Sequence, residues 1–366
     1  MGVYFQCSWH WAEGLPLDAP RSEEEALAQI DRLYKSGVPF FSKEMIGDAW
    51  AKIQQLNAPG SKIQLKGPDG IVIEHETRTG ELPDRYRDSK ASQTERVLQR
   101  PVLSYVPYAH LKHRLYWQSY YDEDTPPCCT ITLMHPTITR RIGTHEPVPD
   151  PELRLDPEPR SQGELLEAWS KKQLGWIKSP MCSNLKQILS SSAADLDIRQ
   201  IVGFSLGSIS HDIDDRSGYQ HALLLTLRDW LLEERDAVVP CYVQDPIYTE
   251  GDSVIMKEND VEILDDPLGW LAIDDTSIVV SIASNVASKE IVADIARPAI
   301  VIWGRVGDNN YDQRGKLSLT DPDSPRVRKM MEGYEMFEFG ADDHVGDVVV
   351  YVRRRRTKCH EGRACL

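Results

Sequence analysis

Gln200-Ile201-Val202-Gly203-Phe204-Ser205-Leu206-Gly207-Ser208, followed further on by Val243-Gln244-Asp245-Pro246, is the stretch that decides the fold. An apolar run enters a tight loop with two glycines, a helical segment follows, and a second apolar run ends in an acid. That order is the first βαβ unit of an open α/β sheet, in which loops at the carboxyl ends of the strands form a ligand crevice. Glycines in such a loop let the backbone approach a ligand closely and leave helix-start amides free for an anion. Gly203 and Gly207 do not have the GxGxxG spacing of dinucleotide folds and are nearer the looser loop of methyltransferase-type sheets. An acid at the end of the second strand is the usual partner of ribose hydroxyls, and Asp245 stands there. Gly203, Ser205, Leu206, Gly207, Ser208 and Asp245 are therefore the candidate contacts of a nucleoside-type ligand, S-adenosylmethionine among them. The same residues also have a structural reading, in which the glycines only make the turn and Asp245 caps it before Pro246.

Working outward, strands and helices alternate. The pattern predicts strands at Gln200–Phe204, Val238–Val243, Val261–Leu264, Ser277–Ile282 and Ala299–Trp303, with later ones at Met336–Phe339 and Val348–Val352. Helices are expected at Tyr219–Leu232, after Tyr248, at Lys289–Ala296 and near Arg326–Met331. Strands this apolar, alternating with helices, imply a mostly parallel Rossmann-like sheet covered on both faces. Upstream, Ser161-x-x-Glu164 is a capping box opening a helix that carries Leu165, Leu166, Trp169 and Leu174, and another helix is expected around Leu185–Leu189. Residues 161–352 thus read as one Rossmann-like α/β domain.

Residues 144–160 contain five prolines among acids, without periodicity, and read as a linker. Before it, residues 1–143 read as an α+β region. Ser22-x-x-Glu25 opens a helix with Ala26, Ile30 and Leu33 on one face, and a second helix spans Lys43–Leu56. Ile63–Leu65 and Ile71–Ile73 flank Gly67-Pro68-Asp69-Gly70, a hairpin signature, and β-like runs follow at Pro101–Val106 and Thr130–Met134. Residues 353–366 read as a disordered basic tail, with Arg353-Arg354-Arg355-Arg356-Thr357-Lys358 a weak nuclear-import signal.

The formal net charge of −15 opposes phosphate backbones and anionic lipid, which argues against nucleic-acid and membrane partners. Seven scattered cysteines, Cys128-Cys129 among them, read as reduced, buried thiols of a cytoplasmic or nuclear protein. Met1-Gly2-Val3-Tyr4-Phe5 lacks the basic start and long apolar core of a secretory signal.

No catalytic constellation is complete. His211-Asp212-Ile213-Asp214-Asp215 reads first as turn and helix-cap residues rather than metal ligands, and His110-x-x-His113 has no third ligand. Ser205 and Ser208 lack the context of a nucleophile elbow.

Three motifs in order resemble the domain family named for "sensitivity to red light reduced" in its filamentous-fungal form. They are Ile201 to Ser208, the helix start Gly218-Tyr219-Gln220-His221-Ala222-Leu223-Leu224, and Val243-Gln244-Asp245-Pro246-Ile247-Tyr248-Thr249-Glu250-Gly251-Asp252. The family's pattern there is a glycine-leucine-glycine-serine loop, a tyrosine-glutamine helix start, and an aspartate-proline turn followed by another acid. The likeness covers Gln200 to Trp303. It departs where the family commonly has methionine-proline-histidine-cysteine after the fourth strand, since this chain has Ser281-Ile282-Ala283-Ser284-Asn285. The resemblance implies a Rossmann-like sheet and links to circadian or light signalling, stress responses and haem metabolism, with no set reaction.

The leading functional reading is an intracellular regulatory protein sensing a nucleoside-type ligand at the glycine loop. A second is a methyltransferase-like enzyme, with Asn285, Tyr248 or His221 on the substrate side. A third is a protein-interaction scaffold using the aromatic N-terminal region (Trp9, Trp11, Tyr105, Tyr108, Tyr116, Trp117, Tyr120 and Tyr121).

Overall fold

The computed structural model describes residues 4–6, 8–11, 23–56, 58–83, 93–112, 128–148, 161–211, 216–307, 320–341 and 343–355. In chain order the N-terminal region gives β1 (Tyr4–Gln6), β2 (Ser8–Trp11), α1 (Glu23–Lys35), α2 (Lys43–Gln54), β3 (Lys62–Lys66), β4 (Val72–Glu76), β5 (Thr94–Leu98), β6 (Val102–Tyr105), α3 (Tyr108–Lys112) and β7 (Ile131–Arg141). Strands β2, β4 and β3 make one small antiparallel sheet, while β1, β5 and β6 all pair with the long β7. The β3–β4 hairpin closes where expected. The N–H of Gly70, at φ 85°, donates to the Gly67 carbonyl at 2.9 Å. In α2, Ser42 caps the helix by accepting from the Met45 N–H at 3.1 Å. The sequence did not signal β5, β1 or β2. The first residues of the expected linker turn back along β7, where the Val148 N–H donates to the Thr139 carbonyl. Residues 149–160 lie outside the described residues.

The second half of the chain gives α4 (Gln162–Ile177), α5 (Pro180–Ser192), β8 (Gln200–Phe204), α6 (Arg216–Arg235), β9 (Cys241–Gln244), α7 (Glu250–Glu258), β10 (Glu262–Ile263), α8 (Leu268–Ala272), β11 (Ser277–Ser281), α9 (Ser288–Ile295), β12 (Ile300–Gly304), α10 (Pro325–Met331), β13 (Tyr334–Glu338) and β14 (Val348–Arg353). The Ser161–Glu164 capping box is present, with the Ser161 N–H donating to Glu164 Oε2 at 2.7 Å. Strand β9 begins three residues later than expected, because Pro240 has no N–H to give to a ladder and Val238 is 86% exposed. Helix α8 was not foreseen. Arg353, counted above with the basic tail, is the last residue of β14, and residues 356–366 lie outside the described residues.

The seven strands of the large sheet run β10-β9-β8-β11-β12-β14-β13. Strands β8 to β12 pair in parallel, and β14 is antiparallel to both its neighbours, β12 and β13. Alternate side chains of each central strand enter opposite cores, as the two-residue period of a strand requires. Ile201, Ile278, Val280, Ile300 and Ile302 join the core under α4, α5, α6 and α7. Val202, Phe204, Val279, Val301 and Trp303 join the other, under α9 and α10. Both faces being covered is why these strands read as unbroken apolar runs.

The second core is shared with the N-terminal region. Phe40, Phe41, Ile46, Leu103, Leu111 and Leu133 belong to the same buried cluster as the large sheet. The crossover from β10 to β11 carries only the short α8, which leaves part of that face for other segments to cover. Trp270 of α8 stacks flat on Phe204 at 3.7 Å, Tyr105 meets Trp270 edge-on at 6.2 Å, and Lys43 Nζ bonds the Leu271 carbonyl. Cys128, Cys129, Cys182 and Cys241 are free and buried, the expected state, and burial pushes the Cys129 and Cys241 thiols up to about 12. Among the described residues no helix is long and apolar enough to cross a membrane.

Candidate functional site

The order of strands reverses between β8 and β11, and the chain leaves them to opposite faces, through α6 on one side and α9 on the other. Their carboxyl ends therefore flank the crevice where open α/β sheets hold ligands. Two non-glycine residues with positive φ stand at this point, Ser205 at 54° after β8 and Ala283 at 51° after β11. Left-handed backbone at such residues costs about 1–3 kcal/mol each and collects at ligand-binding positions.

Ser205 and Ser284 close the gap. Their hydroxyl oxygens are 3.0 Å apart. Ser284 Oγ also accepts from the Val286 N–H at 3.1 Å and from Ser288 Oγ at 2.8 Å. A hydroxyl has two acceptor positions and one proton, so Ser284 donates to Ser205. The Ser205 proton is then not used within the pair. Thr320 Oγ1 holds the Ser284 carbonyl at 2.9 Å, and Ala283 and Asn285 are exposed on the rim. The loop that departs from the family pattern thus supplies Ala283 and Ser284, neither of which titrates in the ordinary range.

The other candidate residues are largely engaged inside the protein. A Cβ on Gly203 would fall 2.6 Å from Leu224 and 2.7 Å from Leu206, so this glycine lets α6 lie close on β8. Leu206 is itself core, at 1% exposed. Gly207 has φ 76°, and its N–H donates to Asp245 Oδ2 at 2.9 Å, while Asp245 Oδ1 accepts from the Ile247 N–H at 3.1 Å. Asp245 therefore ties the end of β9 to the glycine loop. Burial raises its carboxyl above the usual range, against the pull of those two backbone donors.

Ser208 turns away from the crevice into a buried network. Its hydroxyl donates to Asp252 Oδ2 at 2.7 Å, and the Ser210 N–H reaches Asp252 Oδ1 at 2.9 Å. Asp252, wholly buried, also completes the capping box of α7 with Thr249. The hydroxyls of Ser208 and Ser210 each lie 3.2 Å from His211 Nδ1. Asp252 sits on the serine side of this chain of bonds, so it does not orient the imidazole as a nucleophile relay needs. His221 and Tyr248 occupy each other. Nδ1 of His221 is 2.6 Å from the Ser217 carbonyl, so it carries the proton, and Nε2 accepts from Tyr248 Oη at 2.8 Å.

Sequence reasoning missed Ser284, Asp266 and Glu290. Ser284 lay inside a stretch marked only as a departure. Asp266 follows β10 and Glu290 stands in the first turn of α9, on the same side of the sheet as the crevice, and they take hydrogen bonds from Tyr105 Oη at 3.1 Å and the Tyr108 N–H at 2.9 Å. Burial pushes Asp266 up to about 7 and Glu290 up to about 8, the latter aided by the Asp294 charge. The Asp265-Asp266-Pro267 string ahead of an apolar Leu-Gly-Trp was the available signal. Among the described residues no three His, Cys, Asp or Glu side chains gather as a metal-holding group. In the two motifs weighed above as metal ligands, Asp212 to Asp215 and His113 lie outside the described residues.

Residues 182–339 match the SRR1 domain, so the chain carries an SRR1 domain that spans just under half of its length. The match starts within α5 and ends after β13, short of β14, which lies between β12 and β13 in the sheet. No curated protein matches the chain.

Proposed function

We propose that the chain is a regulatory protein whose SRR1 domain senses a nucleoside-type ligand in the crevice between the ends of β8 and β11. The observation behind this reading is the Ser205–Ser284 pair at the switch point, next to the two left-handed residues Ser205 and Ala283, in which the Ser205 proton is not used by Ser284. Among the described residues, four acid–base groups beside the glycine loop are spent on structure: Asp245 on two amides, Asp252 in a helix cap, and His221 and Tyr248 on each other. A shaped, strained loop beside groups so engaged suits recognition better than turnover. We read it as acting in the cytoplasm or nucleus.

Thermal melting across S-adenosylmethionine, nicotinamide dinucleotides, nucleotides and haem tests this. A ligand that binds only the native state raises the melting temperature as its concentration exceeds Kd. Asn285→Trp, at an exposed rim position, should abolish the shift without changing the melting of the free protein. A flat panel sinks the sensing reading.

The methyltransferase-like alternative rests on the sheet order. An antiparallel last strand inserted beside β12 is the arrangement of methyltransferase-type sheets, which is an argument from fold alone. Transfer of labelled methyl groups from S-adenosylmethionine into a cell extract, lost in Asn285→Trp, would establish it. The scaffold alternative is weaker, because Tyr105 and Tyr108 of the aromatic set are used inside the shared core.

A further inference from the structure

At the amino-terminal edge of the large sheet, away from the crevice, lies a cavity of about 1010 Å³. Asp275 precedes β11, Arg297 precedes β12, Tyr334 opens β13 and Arg353 closes the antiparallel β14, and all four line it. In a chain of formal net charge −15, the cavity is also lined by Arg326, Lys329, Arg354 and Arg355.

Three of these cations have local partners. Arg326 pairs with Asp294 at 2.8 Å and lies over the Tyr34 ring at 4.1 Å, so it holds α10 to α1. Lys329 pairs with Glu332 at 2.6 Å, and Arg355 with Asp195. The remaining three, Arg297, Arg353 and Arg354, have no ion pair among the described residues and are anchored by backbone carbonyls alone. Arg297 Nη1 donates to the Ala293 and Ala296 carbonyls at 2.6 and 2.8 Å, Arg353 donates to the Arg297 carbonyl, and Arg354 to the Glu332 carbonyl at 3.4 Å. Asp275 accepts the Arg297 backbone N–H at 2.7 Å.

A carbonyl fixes one arm of a guanidinium and leaves its other donors directed elsewhere. Three such forks around one cavity repel each other and draw an anion, and their planar geometry matches phosphate oxygens two at a time. The lining also holds two carboxylates, Asp275, which takes the Arg297 N–H, and Asp294, which is paired with Arg326, beside apolar Leu196, Ala293 and Met330, and the volume suits a nucleotide-sized molecule.

We propose that this cavity binds a small organic polyphosphate. Arg297, Arg353 and Arg354 grip the phosphates, and the organic part lies on Leu196, Ala293 and Met330. This second site is independent of the crevice ligand.

The test is calorimetric titration of the full chain with ATP, inorganic tripolyphosphate and citrate, at about 0.05 M and about 0.3 M salt, which bracket the range where screening bites. ATP should bind, should weaken about tenfold or more in Arg353→Gln and in Arg354→Gln as charge-assisted bonds are lost, and should weaken at the higher salt. Asn285→Trp should leave this binding unchanged. Arg354 is exposed, so Arg354→Gln keeps the test valid if Arg353→Gln lowers the melting temperature. Affinity for tripolyphosphate equal to that for ATP would remove the organic part, and equal affinity for citrate would remove the assignment to phosphate. No binding of ATP, or binding indifferent to both arginines, overturns the site.

Discussion

Tyr105 Oη lies 3.1 Å from Oδ1 of Asp266, so a strand of the N-terminal region is hydrogen-bonded to a half-buried acid at the carboxyl edge of the large sheet. Gln244 Nε2 reaches the same oxygen at 2.9 Å, and its Oε1 accepts from the Gly269 N–H at 2.7 Å. The Asp266 carboxyl and the Gln244 amide thus join β6, β9 and α8. Tyr105→Phe should destabilise the chain by about 1–3 kcal/mol, as expected when a buried polar group loses a partner. Urea unfolding checks it, and a value near zero would mean that the contact does not hold the two regions together.

The same acid makes stability depend on pH. Burial holds Asp266 and Asp321 up to about 7 and Glu290 up to about 8 in the folded chain, whereas in the unfolded chain such groups ionise near about 4. Between those values the folded state keeps protons that the unfolded state has released. Stability therefore falls as pH rises from about 4 towards about 8, and levels off beyond. Urea midpoints at pH 5.5 and pH 8 should show the decline, about as those pKa values dictate, and Asp266→Asn should lessen it while Asp321 and Glu290 keep the rest. A midpoint that rises over this interval contradicts the assignment.

Lys289 and Asp323 form a buried ion pair at 2.6 Å, with side chains 9% and 6% exposed. Removing the lysine leaves the buried Asp323 charge without its counter-charge, although it keeps the Gly307 N–H, and Lys289→Met should cost about 3–5 kcal/mol. Lys289→Met with Asp323→Asn should recover part of that loss. A double-mutant cycle with no coupling would show that the lysine is held by its packing alone.

Trp270 is 1% exposed and stacks on Phe204 beneath the N-terminal cover. Trp270→Ala should cost about 3–5 kcal/mol through the lost burial and the cavity left behind. Limited proteolysis should then cut the N-terminal region sooner than in the unaltered chain. Unchanged cleavage would mean that the shared core does not depend on this stack.

Gly207 has φ 76°, and a Cβ there would come 2.3 Å from Ser217 Oγ. Gly207→Ala should destabilise by about 1–3 kcal/mol from backbone strain, and Ser217→Ala in the same chain should relieve only the contact. Full rescue by Ser217→Ala would show that the left-handed backbone costs little.

Local chemistry alone made much of the chain legible. The capping box at Ser161 and Glu164, the turn at Gly67–Gly70 and the run from Gln200 to Phe204 each reflect interactions within a few residues, and each formed where expected. The unbroken apolar strands also announced a sheet covered on both faces. Helix α8 escaped notice because five residues cannot show a helical period, and β5 because its burial is confined to Val97 and Leu98.

The sequence by itself therefore determined the α/β class, the glycine loop and the order of elements, since strand and helix periodicity and turn chemistry are written in neighbouring residues. Only the tertiary structure decided what the candidate residues do. Gly203 faces Leu224, Asp245 is taken by the amides of Gly207 and Ile247, and Ser205 meets Ser284, a residue far along the chain. The same holds for the arginines of the basic cavity, brought together from the start of β12 and the end of β14. Such pairings depend on which strands lie side by side and which way each loop turns, and residue type does not encode either.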